Sequence, residues 1–189
     1  NISEIKTLAS LCGTQEKNSG NMAVSDTMDV EKITDKSDHC GKITGIDGSG
    51  RGVDADNADT VTEENLAQHI SNAKMLSKKL QTIVAITGAI DLVTDGSSCY
   101  VIRNGNPQMG HVTGAGCQLS GILTAFLAAN PENKLQAAAA AVCMMGYAGE
   151  LAAEKSGQSG SGTYRVSLMD AVSCMDGDIL ERGARYEIR

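Results

Sequence analysis

Apolar residues recur every three or four positions in five stretches of the chain, a spacing that predicts helices. The stretches cover residues 1–11, 62–80, 117–127, 132–154 and 164–174. Thr62 is suited to cap the second helix, because a hydroxyl there can accept a bond from the first free N–H groups. Pro131 follows Asn130 and predicts the start of the fourth helix. The charged residues 178–189 predict a terminal helix or tail.

Three short apolar runs predict strands. Residues 82–87 are largely β-branched, and such a run is typical of a buried strand in a parallel sheet. Residues 90–94 and 99–103 flank Asp95-Gly96-Ser97-Ser98, a hairpin signal. A helix followed by a buried strand indicates an α/β layer with a mostly parallel sheet. Thr87 then lies at a strand's carboxyl end, where open α/β sheets place ligands, although it could equally just end the strand.

A glycine-rich turn, Val112-Thr113-Gly114-Ala115-Gly116-Cys117, leads directly into the third helix. The first N–H groups of a helix have no partner within it, and the helix dipole adds positive potential, so such a start binds anions, phosphate above all. Cys117 lies at this helix start, where the thiolate form is favoured. The alternative for this short pattern is a helix start packed tightly against a strand.

Composition and charge narrow the function classes. The chain has 189 residues, 41% of them hydrophobic, which suits one globular domain with a real core. A net charge of −7 without a Lys/Arg run disfavours nucleic-acid binding. There is no run of eighteen apolar residues, so the sequence predicts no membrane span. The six cysteines form no Cys-x-x-Cys pair and indicate reduced, cytoplasmic thiols.

Residues 13–50 are rich in Ser, Asp, Lys, Thr and Gly, a composition that predicts a polar insertion in this single domain. A mobile surface loop is the expected structure, because so little apolar surface cannot fix a compact one. Replacing residues 20–37 with a short Gly/Ser linker should therefore leave activity and melting temperature nearly unchanged.

Several motifs, in this order, resemble those of the hydroxyethylthiazole kinases of the ribokinase-like superfamily. The glycine turn that ends at Cys117 resembles the family's anion hole, with the cysteine that these kinases carry where most of the superfamily has aspartate. The other motifs are Asn1-Ile2-Ser3-Glu4, Gly52-Val53-Asp54, Ala85-Ile86-Thr87-Gly88 followed by Asp91, Asn104-Gly105-Asn106-Pro107, and Gly160-Ser161-Gly162-Thr163-Tyr164. The likeness covers nearly the whole chain except residues 12–50.

The resemblance implies a three-layer ribokinase-like α/β fold that transfers the γ-phosphoryl group of ATP to the alcohol of 4-methyl-5-(2-hydroxyethyl)thiazole. It implies that Cys117 is catalytic and that Gly114, Ala115 and Gly116 form the anion hole, with Gly114 also touching the thiazole. Thr87 would contact ATP. Asn1 and Glu4 would act near Mg²⁺, a cation that prefers oxygen ligands; without the resemblance they would read as a solvated helix start. A homotrimer is implied as well.

Two other functions remain open from the sequence. The first is a hydroxymethylpyrimidine kinase of the same superfamily, some of whose members carry the same cysteine. The second is a non-catalytic ligand-binding or assembly subunit, because the family's N-terminal elements do not precede Asn1. On this interpretation the chain is the C-terminal portion of the kinase domain. Residues 1–189 alone should then fold poorly, or depend on a separate N-terminal piece, and should not phosphorylate the thiazole.

Overall fold

The computed structural model describes residues 60–189 as one compact unit. The polar insertion at 13–50, the pair Asn1 and Glu4, the predicted helix over 1–11 and the motif at 52–54 lie outside the described residues. The helices are α1 (Leu66–Leu80), α2 (Ala115–Ala129), α3 (Lys134–Ser156), α4 (Ser161–Ser173) and α5 (Gly177–Gly183), with a 3₁₀ helix at Pro107–His111. The strands are β1 (Val84–Ile86), β2 (Asp91–Thr94), β3 (Cys99–Ile102) and β4 (Tyr186–Ile188). This is the α/β class that the sequence predicted.

The sheet has the order β1-β2-β3-β4, and every pairing among the described strands is antiparallel. The prediction of a mostly parallel sheet is therefore wrong for residues 60–189. The strands β1, β2 and β3 are antiparallel because the connections between them, residues 87–90 and 95–98, are too short for the crossover that a parallel pair needs. The predicted hairpin is confirmed, with Thr94 opposite Cys99. The apolar run at 82–87 is also less buried than predicted, because Ala85 is exposed between buried Val84 and Ile86.

The helices lie close to where the periodicity predicted them, but their starts differ. Helix α1 begins after Asn65 rather than Thr62, because the Asn65 side chain accepts a hydrogen bond from the Thr62 N–H at 2.7 Å and closes a turn there. Helix α3 begins at Lys134, beyond Pro131. Helix α4 begins at Ser161, inside the glycine-rich stretch that leads to Tyr164.

The charged C-terminus forms a short helix and a strand rather than a helix or a tail. Strand β4 pairs with β3 at the sheet edge, with Ile102 opposite Tyr186. Cys99 and Arg189 exchange two backbone hydrogen bonds of 2.8 Å, which extend this pairing to the last residue. Tyr186 and Ile188 alternate with charged residues as in a strand, but three residues are too few for this pattern to be told from a charged tail.

Helix α3 is the centre of the described unit, and its small residues allow close packing on both sides. Toward the sheet it packs Ala138, Val142 and Cys143 against Val93 and Ile102. Its other side contributes to a second cluster. That cluster is Val112, Met145, Ala148, Ala152, Tyr164 and Leu168.

Helix α3 is long and apolar enough to cross a membrane by length and composition alone, a test that a buried core helix also passes. However, 67% of its most apolar window is buried within the protein, which is the burial of a core helix.

Candidate functional site

A cleft of about 560 Å³ opens where two loops at the ends of strands meet the start of α2. One wall is the turn between β1 and β2, and the other is the segment after β3. Helix α3 forms the floor. The lining residues are Thr87, Gly88, Ala89, Asp91, Asn104, Gly105, Asn106, Pro107, Met109, Gly110, Ala115, Gly116, Leu119, Val142, Met145 and Gly146. Five glycines among them keep the backbone accessible to a ligand.

The glycine turn builds the helix start that faces this cleft. Gly114 is the N-cap residue of α2 and has φ of 93°, a left-handed conformation that favours glycine. The Ala115 N–H donates to the Val112 carbonyl at 3.2 Å, and the first bond within the helix runs from the Gln118 N–H to the Gly114 carbonyl at 3.0 Å. Among residues 60–189, no acceptor is bound to the N–H groups of Gly116 and Cys117. Two donors at a helix start therefore remain available to an anion.

The β1–β2 turn is held by a buried carboxylate. Asp91 Oδ1 accepts a hydrogen bond from the Gly88 N–H at 2.8 Å, which fixes the turn that carries Thr87. Asp91 is only 8% exposed although it lines the cleft. Burial raises its pKa to about 7, and the Gly88 bond opposes that shift only in part. The sequence indicated Asp91 only as part of a motif; the signal for a larger role was an acid placed between Ile90 and Leu92 in an apolar strand.

The opposite wall is an irregular segment stabilised by its own polar side chains. Gly105 has φ of 144°, a positive value that glycine adopts readily and other residues rarely adopt. Asn106 caps the 3₁₀ helix, with its Oδ1 accepting from the Gln108 N–H at 3.0 Å. Asn104 is buried and bonded to the C-terminal segment. The segment 104–107, which the sequence predicted to be a turn, is thus an ordered wall of the cleft.

The structure brings together only some of the predicted site residues. Thr87, Ala115 and Gly116 line one cleft, and Gly114 directly precedes Ala115. Cys117 is the third residue of α2 and is exposed, outside the lining residues of the cleft. In the described part of the chain, no group of three or more His, Cys, Asp or Glu side chains could hold a metal ion.

The floor of the cleft offers a first test of this geometry. A Cβ atom on Gly146 would lie 2.7 Å from the carbonyl oxygen and 2.8 Å from the carbonyl carbon of Asn104. Gly146→Ala should therefore displace the cleft wall and lower the free energy of unfolding by about 1–3 kcal/mol. Thermal and denaturant unfolding measure this loss.

Gly121→Ala is the matched control, since it places the same methyl group in helix α2, where no described atom beyond the adjoining residues and the nearby helix backbone lies within 4 Å. It should be neutral or stabilising by up to about 1 kcal/mol, because alanine is the better helix former. Equal losses in both variants would contradict the close approach of α3 to the cleft wall.

The fold and the cleft together define an α/β protein with a helix start available to an anionic ligand. Comparison with known proteins makes the assignment narrower. The sequence pattern of the hydroxyethylthiazole kinase family matches residues 8–178, so the chain belongs to this family, and the predicted resemblance to it is confirmed.

Individual relatives agree with this assignment. The chain is 46% identical over 141 residues to hydroxyethylthiazole kinase of Clostridium acetobutylicum, covering 74% of this chain and 52% of that protein. It is 37% identical to the enzyme of that name from Ruminiclostridium cellulolyticum, covering 76% and 50%. A solved structure of hydroxyethylthiazole kinase from Pyrococcus horikoshii is similar with a TM-score of 0.60 and 28% identity, covering 67% of this chain and 48% of that one. The chain spans about half the length of the curated relatives it matches.

Proposed function

We propose that the native protein containing this chain transfers the γ-phosphoryl group of ATP to the alcohol of 4-methyl-5-(2-hydroxyethyl)thiazole, a step of thiamine biosynthesis or salvage. The observation that carries the proposal is the start of α2, where Gly116 lines the cleft and where its N–H and that of the next residue, Cys117, have no acceptor among residues 60–189. Family membership supplies the reaction class. The reaction needs an aligned alcohol, an acceptor for its proton, and donors for the charge on the transferring group.

In this proposal the alcohol oxygen forms a bond to the γ-phosphorus while the bond to the β-phosphate oxygen breaks and ADP leaves. The turn of Gly114, Ala115 and Gly116 holds the transferring group as an anion hole. The Gly116 and Cys117 N–H groups are the donors best placed for it, because the Ala115 N–H is already bonded to Val112. Their dipoles are fixed before the reaction and therefore cost little reorganisation.

Cys117 accepts or orients the proton of the attacking alcohol. It is exposed at the helix start, so a substrate can reach its sulfur. A primary alcohol is far less acidic than a thiol, so sulfur is a weak base toward it, and orienting the alcohol is a large share of the role of Cys117. Gly114 contacts the thiazole, and its lack of a side chain leaves room for the ring.

Thr87 contacts ATP from the wall formed by the β1–β2 turn, which Asp91 holds through Gly88. The cleft volume of about 560 Å³ is in the range of small-molecule sites. Mg²⁺ would neutralise phosphate charge when bound, with Asn1 and Glu4 acting near it through water. Residues 60–189 hold no cluster suited to a metal ion, so no step is derived through the cation.

The protein is proposed to act in the cytoplasm as a homotrimer, without a nucleic-acid or membrane partner. Support for assembly comes from α2, none of whose residues is buried within the described unit although many are apolar. Leu119, Ile122 and Leu123 pack against the core but stay partly exposed, so we expect other parts of the complete enzyme, including its N-terminal part, to cover the rest of their surface.

The test is a direct comparison of two alcohols in the native polypeptide that carries these residues. With ATP, the thiazole alcohol should yield its phosphate ester and one ADP per ester, measured by mass spectrometry of the products. Hydroxymethylpyrimidine should react far more slowly. Faster phosphorylation of the pyrimidine would indicate the related kinase, and binding without turnover of either alcohol would indicate a non-catalytic subunit.

A further inference from the structure

The cleft wall at Asn104–Asn106 is bonded to a side chain that neither the family motifs nor the proposed mechanism uses. Glu150 lies on α3, and its side chain is 18% exposed. Its Oε1 accepts hydrogen bonds from the Gly105 N–H at 2.7 Å and from Asn104 Nδ2 at 3.2 Å. One carboxylate thus binds the backbone and a side chain of the wall at the same time.

Arg185, beyond the last helix, completes this contact. Its Nη1 donates to Glu150 Oε2 at 2.8 Å and its Nη2 donates to Oε1 at 2.7 Å, a bidentate pair. Nη2 also donates to the Arg103 carbonyl at 2.9 Å. Although burial raises the pKa of Glu150, the bonds from Arg185, Gly105 and Asn104 outweigh it and hold that pKa below its usual value. The carboxylate is therefore the stable form at neutral pH.

Asn104 ties the same wall to the C-terminal backbone. Its Oδ1 accepts from the Arg185 N–H at 2.7 Å, and its Nδ2 donates to the Gly183 carbonyl at 2.9 Å. The buried carboxamide therefore bonds to the chain on both sides of Ala184, much as a neighbouring strand would. Gly183 and Arg185 lie outside the residues 8–178 that the family pattern matches.

Glu150 anchors the cleft wall to helix α3 through Gly105. Gly105 has φ of 144°, and its N–H is held by Glu150 alone among the described residues. Without that acceptor the wall would lose its charge-assisted anchor to the floor. The next residues, Asn106 and Pro107, also line the cleft and would move with it.

We propose that Glu150, paired with Arg185, is a positioning residue that fixes the Asn104–Asn106 wall for the reactants. The C-terminal segment after α5 is then part of the machinery of the site, although it touches no reactant. The reactants themselves rest on the proposed function above, whereas the positioning of the wall can be measured without any turnover.

Arg185→Ala is the decisive variant, because the Arg185 side chain is 55% exposed and its removal leaves the core intact. Amide hydrogen exchange at Gly105 should become about ten-fold faster or more, since Glu150 loses its bidentate partner. Lys155→Met is the control: it removes an ion pair of the same 2.7 Å length from the same helix, with Asp170, away from the cleft. Unchanged exchange at Gly105 in Arg185→Ala, or equal acceleration in the control, would overturn the proposal.

The Glu150 variants separate positioning from mere stability. Glu150→Gln keeps an oxygen for the Gly105 N–H and should retain more protection there than Glu150→Ala. In the native enzyme, kcat/KM should fall about 10–100-fold in Arg185→Ala at temperatures where the protein stays folded. A lower melting temperature with unchanged kcat/KM and unchanged Gly105 exchange would contradict a positioning role. Absence of phosphotransfer in the unmodified enzyme would overturn the proposed function, and the exchange comparison would still decide the role of Glu150.

Discussion

Replacing Cys117 with alanine should lower turnover of the thiazole alcohol by about 10²–10⁴-fold in the native enzyme. The reason is its position: it is the third residue of α2, it follows Gly116 in the cleft lining, and it is exposed. Alanine keeps the helix start and its N–H donors but removes the group that accepts or orients the alcohol proton. ATP binding should therefore change little while kcat falls.

Two further variants make the result specific. Cys117→Asp should retain activity, because a carboxylate can accept the same proton and is the usual residue of the superfamily that the motif resembles. Cys174→Ala removes another exposed cysteine, just after α4, and should leave turnover unchanged. Full activity of Cys117→Ala would remove this residue from the mechanism.

Replacing Asp91 with asparagine should stabilise the protein at neutral and alkaline pH. Burial raises the pKa of Asp91 from 3.8 to about 7, so folding disfavours its charged form. Between about pH 4 and pH 7 the folded state holds a proton that the unfolded state has released, so stability falls as pH rises through this window. Three pKa units correspond to about 4 kcal/mol, an upper limit for the gain on removing the charge.

The asparagine oxygen can still accept from the Gly88 N–H, so the turn that carries Thr87 should persist. The gain in free energy of unfolding should grow from pH 4 to pH 7 and stay constant above, which denaturant unfolding at several pH values measures. Asp95→Asn is the control with the opposite sign, because the Ser98 and Ser97 N–H groups hold the pKa of Asp95 below its usual value. A pH-independent difference between Asp91→Asn and the original protein would contradict the buried charge.

The sequence revealed those parts of the fold that depend on local spacing. Helix α2 follows from Leu119, Ile122, Leu123 and Phe126, and the hairpin follows from the turn residues after Thr94. Strand direction could not be predicted in this way, because an apolar run such as residues 82–87 occurs in parallel and antiparallel sheets alike. What decided it was the short connection at 87–90, too short for a crossover.

The candidate site was predictable where one local motif builds it and hidden where distant residues meet. The glycine turn before α2 identified Ala115 and Gly116, and a strand end identified Thr87; all three line the cleft. The sequence did not indicate Glu150 as a site residue, because its partners Asn104 and Arg185 lie 46 and 35 positions away. Those contacts depend on α3 packing beneath the wall, and periodicity within a single segment carries no information about them.

The central claim is that the start of α2 holds the phosphate of the reactants. Amide hydrogen exchange at Gly116 and Cys117 of the native polypeptide, with and without ATP and the thiazole alcohol, tests it most directly. Both amides should become protected when the ligands bind, because they have no acceptor among residues 60–189 otherwise. The amides at the start of α1, which do not line the cleft, should be unaffected. Unchanged exchange at Gly116 and Cys117 in the presence of bound nucleotide would contradict the account.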